Sequence, residues 1–467
     1  MSMTQPYTRI LADFLDCVRF DALPTHVIEK AKTFLLDYIG YSASATDSAC
    51  ARILRRVTDE FGGVEEATII GGGRTSAAWA AMLNGALGHI NELDDTHGPT
   101  QSHPGCSVIP ACLAIGERVD CDGKAFLGAM VAGYDMSLRA GYAVMPTHYT
   151  KGWHPSGTVQ TFGAAVAAGK LLGLSAIKLR HAIGLAGTQA AGNFAHTSVR
   201  GMAKDLNPAK AAFNGVLAAT LAHAGFTGSV DVLENRKGFL KLYSDSPHPE
   251  ALTDALGAPW LIERVAHKLF PGCRHLHPSR DAILELMQRH RFAASQVSSV
   301  TARIFAIGAQ YVDDAEPWAD GKGIIGPHYS AQFQIALTLC RGEEGLWSSF
   351  DDQRVMRELA SAEIRDLMAR IRVVHDEALN SSWPVGWGTI VEVELDDGRK
   401  LNARIDLPRG EPENPLRQDE IRRKFDTLTA KTFADDRRHR ITQTVERFEE
   451  VRSVREFATL LTGTPTA

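Results

Sequence analysis

Three carboxylates and three histidines fall within the fifteen residues from His89 to His103: Glu92, Asp94 and Asp95 stand among His89, His97 and His103. Carboxylates this close repel one another, which pushes at least one pKa upward and suits proton transfer. A solvated acidic loop with capping residues has the same composition, and the neighbouring histidines are what tilt the reading toward chemistry. His-Pro before a small residue occurs three times, at His103-Pro104-Gly105, His154-Pro155-Ser156 and His277-Pro278-Ser279, each ahead of a predicted helix. Proline suits a first helical turn and keeps the residue before it extended, so each histidine is expected near free backbone N–H groups that attract anions. The helix dipole there disfavours imidazolium by only about 0.3–1 kcal/mol. A single His-Pro entry is commonly structural; three copies weigh toward use. Lys204, in a loop entering an alanine-rich helix, and Lys268, in Lys268-Leu-Phe-Pro, supply the opposite charge. Either could bind a substrate carboxylate or donate a proton.

Other chemistries find no support in the sequence. Gly71-Gly72-Gly73-Arg74-Thr75-Ser76 lacks the Gly-Lys-Ser/Thr ending of a phosphate loop and the G-x-G-x-x-G spacing, and reads as a turn before a helix cap. The G-x-S-x-G elbow is missing, and the His/Asp cluster lacks H-E-x-x-H spacing. The seven cysteines (Cys17, Cys50, Cys106, Cys112, Cys121, Cys273 and Cys340) are scattered without a C-x-x-C pair, which argues against a disulfide framework and a structural zinc. A formal charge of −5 over 467 residues gives no basic field, so nucleic acid is not an expected partner. No apolar run reaches membrane-spanning length, and Met1 to Pro6 has no basic-then-apolar leader pattern, so a cytoplasmic location without membrane attachment is expected.

The elements that must position these groups are mostly helical. Pro24 opens a helix whose face repeats Val27, Ala31, Leu35 and Tyr38, with Gly40 as its expected end. Ala77–Leu87, Val108–Ile115, Ala125–Val131, Val159–Leu172 and Ala209–Ala222 are alanine-rich and apolar on several sides, which means buried, closely packed helices. After about Lys268 the pattern changes. Val300–Ile307 and Ala369–Val374 alternate as strands, and Thr389–Leu395 runs through Asp397-Gly398 into Leu401–Leu407 as a hairpin. An amphipathic helix, Arg280–His290, precedes them. The charged stretch from Asp419 to Arg455 reads as solvated helix faces. The expected fold is therefore mainly α. A large helical domain is built from both chain ends, residues 1–267 and 409–467, with a smaller α+β lid domain inserted at 268–408.

In this order the segments resemble the MmgE/PrpD family, which includes 2-methylcitrate dehydratases, cis-aconitate decarboxylases and an iminodisuccinate epimerase. The resemblance spans nearly the whole chain: Asn84-Gly85 with His89, Leu93-Asp94-Asp95-Thr96, His103-Pro104, Gly152-Trp153-His154-Pro155, Lys204 with Ala209-Lys210-Ala211-Ala212, Lys268-x-Phe-Pro-x-Cys273, Tyr329-Ser330, and Gly410–Leu416 with Lys424-Phe425. It implies a homodimer and an active site at the domain boundary without metal or organic cofactor. It also implies that His103, His154, Lys204 and Lys268 line the site and bind carboxylates or move protons, with Thr96 a further site position. The chain departs from the pattern at Glu92, where family members commonly have Asp, at Asn207 for a frequent histidine, and at Phe333 for a frequent tyrosine. Arg274, His275 and His277 make the lid segment unusually cationic.

The expected function is that of a cofactor-free lyase on a small di- or tricarboxylic acid, moving a proton next to a carboxylate. Dehydration comes first, with decarboxylation or epimerisation as alternatives. His103 is assigned proton transfer with His154 assisting, Lys204 and Lys268 carboxylate binding, and Glu92 the tuning of a histidine or a second base. Asp94, Thr96, Cys273, His277 and Phe333 complete the expected substrate contacts. A metal-dependent enzyme built on the Glu92–His103 cluster and a non-catalytic helical scaffold are the rival classes.

Overall fold

The computed structural model describes residues 5–198, 201–318, 326–347 and 350–463; Met1 to Thr4 of the opening segment lie outside them. Helices dominate, and six of them carry the site: α1 (Thr25–Ser44), α2 (Ala77–Ile90), α3 (Gly105–Val119), α4 (Gly123–Val144), α5 (Pro155–Leu171) and α6 (Ala203–His223). The most extensive packing is of α5 against α6, α4 and α3, and of α2 against α6. Small residues make it close: Ala80, Ala111, Ala164, Ala168, Ala212 and Ala219 form one buried cluster. A Cβ added at Gly215 of α6 would sit 2.4 Å from the Ala164 Cβ of α5. The apolar, alanine-rich stretches of the sequence are thus the buried helices expected of them.

The strand-bearing segment begins with α7 (His277–His290). A four-stranded sheet follows, of β1 (Val297–Ile304), β2 (Ile371–His375), β3 (Thr389–Leu395) and β4 (Lys400–Ile405), in the order β2-β1-β3-β4. The β1–β2 pair is parallel and the other two are antiparallel. Asp397-Gly398 makes the β3–β4 turn, with Gly398 at φ 83° and its N–H donating to the Leu395 carbonyl. The strand expected over Val300–Ile307 is displaced. It spans Val297–Ile304 because Phe305 starts a short helix, Ala306–Val312, whose first N–H donates to Asn380 Oδ1.

Two further expectations are corrected. Helix α1 does not end at Gly40 but runs to Ser44. Gly40 serves instead as a contact point: a Cβ there would lie 3.4 Å from the Phe425 Cα of α8 (Gln418–Thr429). Nor is the charged C-terminal stretch only a set of solvated faces. Helix α8 packs on α1, and Lys424 is completely buried between them. Its ammonium pairs with Asp37 (2.7 Å) and donates to the carbonyls of Leu93 (3.0 Å) and Lys268 (2.7 Å). One C-terminal lysine therefore ties together the two loops that hold the acidic cluster and the second candidate lysine. Among the described residues no helix is long and apolar enough to cross a membrane.

Candidate active site

The acidic cluster follows the C-terminus of α2, and its backbone is pinned on both sides. Thr96 exchanges two hydrogen bonds with Ala266, and the Gly272 N–H donates to the Glu92 carbonyl. Each His-Pro pair stands at a helix start: Pro104 precedes α3, His154 caps α5 with Pro155 in its first turn, and His277 is the first residue of α7. The free N–H groups at the start of α3 are not open to a ligand. Gly105 N–H donates to Asp95 Oδ1 at 2.9 Å, and the Tyr134 hydroxyl donates to Asp95 Oδ2 at 2.8 Å. Burial, the main influence, pushes the Asp95 carboxyl up to about 7.

His103 is held at one ring nitrogen. Its Nδ1 lies 2.8 Å from the Asp95 carbonyl, 3.2 Å from Thr96 Oγ1 and 3.2 Å from Asp94 Oδ2, and its backbone N–H donates to Ser156 Oγ. A carbonyl can only accept, so Nδ1 carries the proton and Nε2 is left as a lone-pair acceptor. Burial, partly offset by Asp94, lowers the His103 pKa to about 4, so the ring is neutral near pH 7. His89 Nδ1 contacts Asp94 Oδ2 at 2.7 Å, while His89 Nε2 and His154 Nδ1 are buried without a hydrogen-bond partner. Burial holds His154 well below the usual histidine range. Buried ring nitrogens without partners are costly and mark places where a ligand or water is to be received.

The two lysines are paired inside the protein. Lys204 Nζ contacts Glu92 Oε1 (2.7 Å), Asp205 Oδ1 (3.1 Å) and the His89 carbonyl (3.1 Å). Lys268 Nζ contacts Glu92 Oε2 (2.8 Å) and Asp94 Oδ1 (3.1 Å). The Tyr329 hydroxyl donates to Glu92 Oε1 at 2.8 Å. Burial opposes ionisation of Glu92, but Lys204 and Lys268 outweigh it and hold the carboxyl well below its usual range. Asp94 is likewise held ionised against its burial, by the ring N–H groups of His103 and His89 that face it and by the Lys268 ammonium. A carboxylate so stabilised is a weak base, and Glu92 meets lysines and a tyrosine rather than a histidine.

These groups border a cavity of about 60 Å³. Its wall includes His89, Glu92, Thr96, His103, His154 and Cys273 from the sequence segments, joined by His196, Arg274, His275 and the aromatic rings of Tyr149, Phe194, Tyr311, Tyr329 and Trp387. Of the expected site residues, the structure gathers Glu92, Thr96, His103, His154 and Cys273 at the cavity. Lys204, Lys268 and Asp94 stand just behind it. Two expected contacts are not brought there. His277 packs on Phe270 with its Nδ1 3.2 Å from an Arg274 nitrogen, and Phe333 is a fully buried core residue. Their side chains serve α7 and the apolar core, which claim them more strongly than the cavity does. Asp94 faces inward as well, orienting His89 and His103 rather than a ligand. Arg274 reaches the wall, but its guanidinium is already bonded to Glu411 at 2.6 Å. The aromatic wall went unread in the sequence because its members are single residues far apart. His89, not among the expected site residues, could have been found from its place five residues before Asp94, which its ring contacts.

Taken as chemistry, the arrangement is a small cavity with a neutral, oriented histidine at its wall, a setting for proton transfer to or from carbon. Comparison with known proteins agrees in kind. The MmgE/PrpD N-terminal domain matches residues 9–252 and the MmgE/PrpD C-terminal domain matches residues 270–450. The chain belongs to the MmgE/PrpD family. A cis-aconitate decarboxylase-like protein, oryM, of Aspergillus oryzae is 29% identical over 94% of both chains. The cis-aconitate decarboxylase of Aspergillus terreus is 27% identical over 89% of this chain and 88% of its own. That of Mus musculus is 26% identical over 99% and 94%. These likenesses carry a lyase-like character at the level of the family.

The buried histidines make stability depend on acid. Burial, first among the influences on each, lowers His97 and His275 to about 3 and His103 and His148 to about 4, from an ordinary value of 6.5. As pH falls below 6.5 the unfolded chain takes up protons that the folded chain refuses. The stability is therefore complete above that pH and is lost on the way down to about 4. Each histidine contributes a slope of about 1.4 kcal/mol per pH unit, so four together give roughly 5 kcal/mol per unit. Asp95, raised to about 7, acts in the opposite sense with a single proton. Melting curves are expected to show Tm dropping by about 5 °C between pH 7 and pH 5, since a chain of this length loses about 1 °C per kcal/mol. A flat profile would mean that these rings are protonated or exposed in the fold.

Proposed function

We propose that this protein is a cofactor-free lyase that moves a proton at a carbon beside a carboxylate of a small unsaturated acid, with decarboxylation as its reaction. The orientation of His103 carries the reading: with Nδ1–H committed to the Asp95 carbonyl, Nε2 is the nitrogen left for a ligand. Burial alone leaves the ring neutral. Entry of a carboxylate raises its pKa by bringing negative charge into a low-dielectric space, and the ring takes up a proton. When the C–C bond to the departing carboxylate breaks, its electron pair moves through the adjacent double bond. His103 delivers its proton to the far carbon, and carbon dioxide leaves. His154, in the tautomer with the proton on its unpartnered Nδ1, donates to the remaining carboxylate. Whole-length similarity to proteins named cis-aconitate decarboxylase favours loss of carbon dioxide over loss of water.

The metal reading has one observation behind it. Donor atoms of His89, Asp94 and Cys106 lie within 4.8 Å of one another, all buried. The set fits a cation poorly. Lys268 already places an ammonium 3.1 Å from Asp94 Oδ1, and burial holds the Cys106 thiol well above its usual pKa. A dication beside a buried ammonium is repelled by it, and a thiol must lose its proton to ligate. Carbon dioxide release should be measured across unsaturated and hydroxy di- and tricarboxylic acids with a chelator present. Release from an unsaturated acid at an undiminished rate is the expected result. Activity only after a divalent metal is restored would sink the cofactor-free reading.

A further inference from the structure

The lysine pair that would be expected to receive a substrate carboxylate already holds one. An ammonium has three N–H donors, and at Lys204 all three are spoken for, by Glu92, Asp205 and the His89 carbonyl. Lys268 divides its charge between Glu92 and Asp94. Two positive charges therefore face three negative ones, and no surplus is left for a ligand. Arg274, the remaining cation at the wall among the described residues, is bonded to Glu411. The Glu92 carboxylate lies where a ligand's own would lie, with one oxygen on each lysine and the Tyr329 hydroxyl on the first.

Length and backbone conformation both matter here. Glu92 sits at φ 52°, a left-handed conformation that favours glycine and strains a side-chain-bearing residue. The Gly272 N–H on its carbonyl holds that turn. A shorter aspartate would withdraw the carboxylate by one methylene. We propose that Glu92 is a built-in occupant of the lysine subsite and sets specificity: the enzyme takes a dicarboxylate rather than a tricarboxylate. This rests on the proposed lyase reading. The size of the cavity agrees, since about 60 Å³ is far below the roughly 300–1,000 Å³ of sites for drug-sized ligands. A third ionised carboxylate would meet no unpaired cation among the described residues, and its desolvation cost is offset only by such a partner.

Binding of two unreactive acids tests this without turnover: glutarate, with two carboxylates, and propane-1,2,3-tricarboxylate, with three, titrated calorimetrically at pH 7.5. The natural chain is expected to bind glutarate at least about tenfold more tightly, a difference of about 1.4 kcal/mol. Glu92→Gly suits the backbone and empties the subsite, and it should reverse the preference. Glu92→Asp keeps the charge while withdrawing it, and should shift the preference in the same direction by a smaller factor if the glycine variant does not fold. Tighter binding of the tricarboxylate by the natural chain, or no shift in either folded variant, overturns the proposal. A protein that discriminates between the two acids yet turns over no unsaturated acid keeps this inference and loses the lyase reading. One that decarboxylates a tricarboxylate bound without penalty does the reverse.

Discussion

His103→Ala is expected to lower kcat by about 10²–10⁴-fold while changing KM little, because the ring acts on the proton rather than on ground-state binding. The lower end applies if His154 takes over part of the transfer. The ring's position argues for the full effect. Its Nδ1 is anchored by a backbone carbonyl, a hydroxyl and a carboxylate oxygen, so Nε2 is held where another side chain cannot substitute. A pH–rate profile separates this role from a structural one. In kcat/KM, which reports the free enzyme, the limb governed by His103 should vanish in the variant. Unchanged kcat, or an intact limb, would move the chemistry to another group.

The second large effect falls far from the cavity along the chain. Lys424→Met should lower stability to unfolding by about 3–5 kcal/mol, because it strands a buried carboxylate at Asp37. Burial raises the Asp37 pKa and lowers that of Lys424, so the attraction does not fully repay the loss of hydration. Removing both charges, in Asp37→Asn with Lys424→Met, is therefore expected to recover most of the stability. It should not recover activity. The Leu93 and Lys268 carbonyls lose their common donor in both variants, and the loops that set Glu92, Asp94 and Lys268 come apart. Denaturant unfolding beside turnover measures the split; recovery of both together would make Lys424 a stabiliser only.

That pair also shows where the sequence ran out. Period and composition do not distinguish the buried Lys424 from Arg422 and Arg423, since they describe a face and not which long side chain passes beneath it; the resemblance marks Lys424-Phe425 without saying what the lysine holds. The alanine-rich helices, the Asp-Gly hairpin and the three His-Pro helix entries were legible because each has a local cause: small-residue packing, turn conformation, fixed φ. The cavity was legible only in part. Glu92, Thr96, His103 and His154 lie in compact segments rich in His, Pro and acids, whereas Tyr149, Tyr311 and Trp387 meet them only through tertiary folding. His277 misled because its His-Pro-Ser resembles the other two entries, yet its helix starts at the histidine itself and the ring packs on Phe270.

Solvent isotope in the product reaches the centre of the account most directly. Metal-stripped protein would be given its unsaturated acid in D₂O and the product examined by NMR. The account predicts one deuterium per molecule, on the carbon to which the double bond's electron pair has moved, appearing at the rate of carbon dioxide release and slowed in step with it by His103→Ala. A product without solvent deuterium, or one formed at an equal rate by the variant, would contradict it.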